Sequence, residues 1–218
     1  VRNVYLVRHC TPQLPDIKRR CIGLTDLPIS EVGKSEGYRL QEWFSHKQIR
    51  AVFTSPLKRC VSTAHAIADN KIPVKEKDEL QELDMGAWEN MTFDEIAACW
   101  PVLYEKRGRH MGTVKPPGGE SFAEGGVRFS NALESILESS AGDIVVVSHA
   151  GVIRGFLCGL TGTRLDNVRD IPQPYGGITH LQYGEGAWSV ISIGVMADHC
   201  MNDGDAEGCT GKMRCRLG

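Results

Sequence analysis

The hydrophobic positions of this chain come in short blocks set apart by polar or glycine-containing stretches. Residues 4–9 (VYLVRH) and 143–149 (DIVVVSH) are β-branched runs without polar alternation, the pattern of strands covered on both faces of a parallel sheet. Both end in histidine. A third strand is expected at 51–54 (AVFT), followed by SPLKRCVSTAHAIA, where Ser55 suits a helix N-cap and Pro56 its first turn. LPISEVG opens a helix predicted from about Ser30 to His46. Further helices fit 92–100 and 121–138, the latter with Ser121 and Glu124 at capping-box spacing. AGVIRGFLCGL after His149 reads as another helix, and 178–182 with 187–193 as a closing hairpin around Gly184 to Gly186.

Strands alternating with helices predict an α/β domain of three layers, α/β/α, with a mainly parallel central sheet. Ligands in such folds bind beyond the carboxyl ends of the strands, and His9, Ser55 with the nearby Arg59, and His149 all fall at that edge. The length of 218 residues, 41% of them hydrophobic, fits one core. From about Met196 the pattern gives way to Asp, Gly, Cys and charge. The expected organisation is therefore one folded domain over 1–195 and a Cys-rich tail over 196–218.

Composition narrows the partners. A formal net charge of −2 gives no overall field towards nucleic acid or anionic lipid, so attraction for an anion has to be local. The longest apolar runs fall far short of a bilayer span and no leader-like sequence opens the chain, which predicts a soluble protein with no membrane partner. The first residue is Val1, as in a chain trimmed or cut from something longer. Five of the eight cysteines are scattered through the expected elements, which favours reduced thiols and a cytoplasmic setting; Cys200, Cys209 and Cys215 crowd the tail. Nothing in the sequence specifies an oligomeric state.

The local charge lies in three segments. LVRHCTP carries Arg8 and His9; SPLKRCVSTA places Arg59 about a turn into a helix whose amino end offers N–H groups; SHAGVIR supplies His149, again opening a helix. Taken singly, each has an ordinary reading: His9 as a structural histidine, Arg59 as a surface charge, Glu82 as a solvated carboxylate in the run KEKDELQELD. Glu79, Asp84 and Glu89 keep that last reading, and His46, His65, His110, His180 and His199 have no comparable setting. Together, two histidines, two arginines and helix amino ends at one sheet edge describe a pocket for a phosphoryl dianion.

These segments, with RRCIGLTDLPISEVG at 19–33, LQELDMGAWEN at 80–90 and PPGGESFAE at 116–124, resemble the histidine phosphatase superfamily, the phosphoglycerate mutase-like group. The likeness covers roughly residues 3–193 and is greatest to its α-ribazole phosphatase-type members. The resemblance implies a phosphoglycerate mutase-like fold and a metal-independent phosphatase without a cofactor. It implies that Arg8, His9, Arg59 and His149 line the phosphate pocket, with His9 as nucleophile and Glu82 as proton donor. Thr11 and Gly23 join Arg8 and Arg59 as substrate-binding residues. The implied substrate is a small-molecule phosphate ester, such as α-ribazole 5′-phosphate or another nucleoside or sugar phosphate. Residues from about 84 to 128 would form a cap over the site, with Trp88, Phe93, Trp100, Tyr104 and Phe122 as an aromatic wall or as ordinary core.

The chemistry is consistent with those roles. Phosphoryl transfer needs an in-line nucleophile, neutralised equatorial oxygens and a proton for the leaving alcohol. A neutral His9, held by a hydrogen bond from its other ring nitrogen to a backbone carbonyl, meets the first need. Arg8, Arg59 and a charged His149 meet the second, since a guanidinium offers two parallel bonds to phosphate oxygens. Glu82 meets the third, as acid and then as base. Arg8 and His9 are adjacent and would face opposite ways in a regular strand, so the pleat is expected to break there.

One position departs from the family pattern. Glycine normally follows the catalytic histidine, whereas this chain has Cys10, then Thr11 and Pro12. The expectation is a working site with a modified rim, in which the Thr11 hydroxyl serves phosphate; a thiol activated by nearby cations is the sharper alternative. Other readings remain open at this stage. They are a non-catalytic phospho-ligand-binding module, a phosphoglycerate mutase, and a metal hydrolase using His9, His149 and a carboxylate, against which the arginines argue. In the tail, His199, Cys200, Cys209 and Cys215 are enough ligands for zinc but match no paired CxxC spacing, so loose packing or disorder is expected there.

Overall fold

The computed structural model describes residues 1–198 and the backbone of Arg214–Cys215. His199, Cys200 and Cys209 lie outside the described residues, and so does any site they would form. Seven strands make one sheet: β1 (Arg2–Arg8), β2 (Ile49–Thr54), β3 (Val74–Glu76), β4 (Asp143–Ser148), β5 (Ile178–Gly184), β6 (Ala187–Val195) and β7 (Arg214–Cys215). Six α-helices accompany them: α1 (Glu31–Ser45), α2 (Lys58–Ala68), α3 (Phe93–Cys99), α4 (Pro101–Arg109), α5 (Phe122–Ser139) and α6 (Ala150–Thr161).

The strand order is β3-β2-β4-β1-β5-β6-β7. β3, β2, β4 and β1 run parallel, and β5 to β7 extend the β1 edge antiparallel, so the sheet is mixed. Alternate residues of the unbroken apolar strands go to opposite layers. Val4, Leu6, Phe53, Ile144 and Val146 pack against α5 and α6, in a cluster with Phe129, Leu133, Val152 and Phe156. Tyr5, Val7, Val52, Val145 and Val147 pack against α1 and α2, with Leu40, Phe44, Cys60 and Ile67. This is why neither face carries polar alternation.

Local signals placed the helix starts well. Ser30 caps α1 by accepting from the Gly33 N–H, and Ser121 and Glu124 form the capping box of α5. Thr92 and Glu95 do the same for α3, which Pro101 cuts short by opening α4. α2 is the exception: it begins at Lys58 behind Leu57, which supplies no side-chain cap, so Ser55 is not its N-cap. Its first N–H donates instead to Asp26 Oδ1, at 2.7 Å.

Two boundaries differ from the sequence reading. The segment expected as a cap gives α3 and α4, but Phe122–Arg128 is the start of the layer helix α5. Trp88 is buried and serves as core, with the half-buried Trp100 and the exposed Tyr104 about its ring. The ordered chain also outlasts Val195: Ala197 is buried beside the α1 and α2 layer, and Arg214–Cys215 pairs with Trp188 and Ser189 of β6. Within the tail, where loose packing or disorder was expected, these two residues thus lie along the sheet edge. No described helix is long and apolar enough to cross a membrane.

Candidate active site

β1 and β4 are parallel neighbours whose last paired residues are Arg8 and Ser148. His9 and His149 therefore leave the same sheet edge side by side, with ring centroids 5.1 Å apart. β2 borders β4 on the other side and delivers Ser55 to the same edge. Three segments distant in sequence thus meet at the carboxyl ends of three adjacent strands.

His9 is almost fully buried, and its Nδ1 lies 2.8 Å from the Cys10 carbonyl oxygen. A carbonyl only accepts, so Nδ1 carries the proton and Nε2 the free lone pair. Burial first, then the charges of Arg59 and Arg8, hold the ring well below the ordinary histidine range. The imidazole is neutral at physiological pH and its reactive nitrogen is defined.

His149 departs from expectation. It is fully buried, and burial, then His9, Arg59 and Arg8, push its pKa well below the ordinary value. In the free site it is neutral, not charged. Arg59 Nε donates to its Nδ1 at 3.3 Å, so Nε2 carries the proton and faces Ser55 Oγ at 2.9 Å. Only an anion arriving among these groups reverses the local balance and draws a second proton onto the ring. We predict that imidazole resonances of His9 and His149 stay at their neutral positions from about pH 8 down to about pH 6.5, the ordinary histidine value. A midpoint at or above that value, read by NMR in the free protein, would contradict this electrostatic picture. Because both folded-state pKa values are depressed, the associated stability is complete above about pH 6.5 and is lost as pH falls below it.

Arg59, the second residue of α2, is also buried. Its Nη1 and Nη2 donate to the Thr25 and Gly23 carbonyls, at 2.6 and 2.7 Å. The loop that supplies those carbonyls is itself held by Glu89, whose carboxylate accepts from the N–H groups of Gly23, Leu24 and Thr25 and from the Thr25 hydroxyl. Glu89 is thus a structural anchor, not a solvated charge. Gly23 has both backbone groups engaged here, and an added Cβ would meet the Leu83 oxygen at 2.3 Å.

Arg8 ends β1 with its guanidinium carbon 3.6 Å from the Tyr175 ring centroid, a stacked cation–π contact. Nη1 donates to the Gln173 carbonyl at 2.6 Å, whereas the buried Nε has no acceptor. β1 ends at Arg8, the His9 N–H still donates to the Ser148 carbonyl at 2.9 Å, and the Gly176 N–H closes on the carbonyls of Arg8 and His9.

Glu82 sits in a loop pinned from α5 by Arg128, which donates to the carbonyls of Glu79, Gln81 and Glu82. Its carboxylate accepts from the N–H groups of Gly151 and Val152, at 3.0 and 3.2 Å, in the first turn of α6. That helix end is where a carboxylate is favoured. A Cβ on Gly151 would lie 2.4 Å from Glu82 Oε1, so the glycine permits the approach. Both helix amino ends expected to receive phosphate therefore hold protein carboxylates, Asp26 on α2 and Glu82 on α6.

The rim after His9 resolves the question raised by Cys10. Its φ is not positive, so nothing there demands glycine. The side chain is fully buried among Tyr5, Val7, Leu40 and Phe44, and burial pushes the thiol up to about 11. The activated-thiolate alternative is thereby corrected. Thr11 also differs: its N–H and hydroxyl both donate to Glu36, at 2.7 Å each, so its hydroxyl proton is not offered to a ligand here. The five described cysteines are free thiols, and Cys99 alone among them is exposed. Iodoacetamide at neutral pH is accordingly expected to label Cys99, leave Cys10 unmodified and spare activity; inactivation traced to alkylated Cys10 would refute the burial argument.

Within the described residues, Arg8, His9, Arg59 and His149 form one cluster, with the loop residue Glu82 accepting from the first turn of the helix that His149 opens. No group of three His, Cys, Asp or Glu side chains among them is placed to hold a metal ion. A buried pair of histidines beside two arginines at one sheet edge suits an anion, as a phosphoryl-transfer site requires. The family model "Histidine phosphatase superfamily (branch 1)" matches residues 4–195, and the chain belongs to that superfamily. Phosphoserine phosphatase 1 of Hydrogenobacter thermophilus is 32% identical over 162 residues, spanning 73% of this chain and 76% of that protein. A probable phosphoglycerate mutase, GpmB, of Yersinia pestis is 29% identical over 187 residues, 85% of this chain and 86% of its own length. Among solved structures, Bacillus stearothermophilus YhfR superposes with a TM-score of 0.82 at 27% identity, covering 89% of this chain and 97% of its own. The chain is accordingly a phosphatase of the histidine phosphatase type.

Proposed function

We propose that the chain is a metal-independent phosphomonoesterase that works through a phosphohistidine on His9 and acts on small-molecule phosphate esters. The observation that carries this reading is the Nδ1–H to Cys10 carbonyl bond, which leaves Nε2 unprotonated beside Arg8, Arg59 and His149. In the first half-reaction Nε2 attacks phosphorus in line. The P–N bond forms, the ester P–O bond breaks, and Glu82 gives its proton to the departing alcohol oxygen. In the second, Glu82 takes a proton from water, whose oxygen attacks phosphorus; the P–N bond breaks and phosphate leaves with His9 restored. Arg8 contributes its unpaired Nε, and Arg59 its fixed charge, to the phosphoryl oxygens. Cations and imidazoles thereby supply the charge neutralisation that a divalent metal provides elsewhere.

Hydrolysis, not mutase transfer, is favoured by the likeness to a phosphoserine phosphatase over most of the chain. The free thiols of the described core support a reducing, cytoplasmic setting. An assay with p-nitrophenyl phosphate in excess chelator tests the reaction class, followed by a screen of α-ribazole 5′-phosphate, other nucleoside and sugar phosphates, phosphoserine and phosphoglycerates. Turnover in chelator supports the proposal. Binding of phosphate esters without release of phosphate points instead to a phospho-ligand-binding module, and activity only after metal addition contradicts metal independence.

A further inference from the structure

The segment SPLKRCVSTA brings more to the site than Arg59. Ser55 follows β2, its N–H donating to the Val147 carbonyl and its own carbonyl accepting from the Thr54 hydroxyl, so its backbone is held from two sides. The side chain is wholly buried. Its Oγ lies 2.9 Å from His149 Nε2, and the Leu57 N–H approaches it at 3.4 Å. Cys60, in the first turn of α2, is equally buried, with Sγ 3.3 Å from the same Nε2 and 3.6 Å from the Ser148 carbonyl oxygen. None of these three side chains reaches solvent, so each of their polar hydrogens has to be matched within the protein.

Hydrogen accounting gives this group one direction. Arg59 has only donors, so His149 Nδ1 accepts and Nε2 carries the hydrogen, which goes to the Ser55 oxygen. The Ser55 O–H then turns to the Cys60 sulfur, and the Cys60 S–H donates to the Ser148 carbonyl, which can only accept. Burial pushes the Cys60 thiol far up, so it keeps that hydrogen. The Ser148 carbonyl also accepts the His9 N–H, at 2.9 Å, so the chain ends on the backbone that carries the nucleophile. Reversing any link would set two hydrogens face to face. Around the ring, Arg8 and His9 at the end of β1, Arg59 on α2 and Arg128 on α5 all oppose a second proton in the free site. The Glu82 carboxylate stands at the first turn of α6.

We propose that Ser55 is a positioning residue for His149: with Cys60 it forms a one-way hydrogen-bond chain that keeps the ring proton on Nε2, presents Nδ1 to Arg59, and stabilises the imidazolium formed when a phosphoryl group binds. The inference rests on the proposed phosphatase reading and assigns that reaction two further residues. The second proton, taken from solvent or from a monoanionic ester, goes to Nδ1, the nitrogen with a free lone pair. Two donors cannot share one line, so the Arg59 Nε–H is released from the ring, and it and the new Nδ1–H both become available to phosphoryl oxygens. Ser55 Oγ meanwhile accepts from a charged donor, the stronger kind of hydrogen bond.

The test is an NMR titration of 15N-histidine-labelled wild type and S55A, free and saturated with sulfate, a tetrahedral dianion whose charge is constant over the range. Free wild type is expected to show His149 protonated at Nε2 and bare at Nδ1; the opposite tautomer overturns the chain. With sulfate bound, the His149 midpoint is expected about one pH unit or more lower in S55A than in wild type, the loss of one hydrogen bond to a charged group. The His9 ring, held by the Cys10 carbonyl, serves as internal control and should behave alike in both proteins. Turnover of p-nitrophenyl phosphate by S55A should fall about tenfold at neutral pH. Because His149 acts protonated in the complex, a lowered midpoint moves the alkaline limb of the kcat profile to lower pH, whereas a merely structural defect lowers kcat equally at every pH. An unchanged His149 midpoint together with an unmoved alkaline limb overturns the proposal. If S55A does not fold, C60A removes the next link and should shift the same midpoint in the same direction, no shift again overturning it. Failure of the phosphatase reading would abolish turnover in wild type while leaving the tautomer and the midpoint difference in place.

Discussion

His9→Ala is expected to lower turnover of p-nitrophenyl phosphate by about four orders of magnitude or more, because no other described group can take its place as nucleophile. The His149 nitrogens are both engaged, one accepting from Arg59 and the other facing Ser55, in a fully buried ring. The Glu82 carboxylate is turned to the N–H groups of Gly151 and Val152. The loss should therefore appear in kcat, with inorganic phosphate or vanadate still binding to the arginines. Steady-state kinetics with a parallel binding measurement separates these effects. A variant that keeps even a tenth of wild-type turnover would show that water is activated directly, without a covalent step.

Glu82→Gln carries the second largest expected effect, a loss of about 10²- to 10⁴-fold, the span of general acid–base catalysis. Glutamine keeps the shape of the side chain and its one oxygen can still accept from one of the two N–H groups of the first turn of α6, so the fold should be intact. It has no proton to give. The loss should consequently depend on the leaving group: large for an alkyl phosphate, whose alcohol departs only when protonated, and smaller for p-nitrophenyl phosphate in the first step. If both esters lose activity equally in burst-phase measurements of the first half-reaction, Glu82 is not the proton donor and acts only in positioning.

Much of this arrangement was legible from local pattern. β1 and β4 read as buried strands because both of their faces are covered by helices, and their terminal histidines follow from chain order alone. The caps of α1 and α5 were readable because the side chain and the N–H it binds are three residues apart. What escaped depends on partners distant in sequence. Ser55 looked like a helix cap, yet its hydroxyl meets His149, 94 residues away. Glu89 looked like a solvated charge, yet it fixes the loop around Gly23, 66 residues back, and Arg128, which gave no signal, pins Gln81, 47 residues back. Tyr175 gave no signal at all, since stacking on Arg8 leaves no mark in its own neighbourhood. The neutral state of His149 in the free site was hidden for the same reason: its surroundings carry burial and three positive neighbours that no single segment displays.

These long-range supports also explain how the site tolerates Cys10 after the nucleophile. The peptide there takes an ordinary conformation, the side chain fills the apolar space beneath β1, and the backbone N–H finds Thr63 Oγ1 at 3.0 Å. The residue's carbonyl is what the chemistry uses, and any residue without strain at that position supplies one.

The most direct measurement is acid–base profiling of a phosphoenzyme quenched during turnover, with the modified peptide sequenced by mass spectrometry. The account predicts one PO3 group on His9, stable in alkali and lost in acid, as a P–N bond requires. A phosphoryl group on serine or aspartate, or none under conditions where a burst of alcohol is seen, would contradict it.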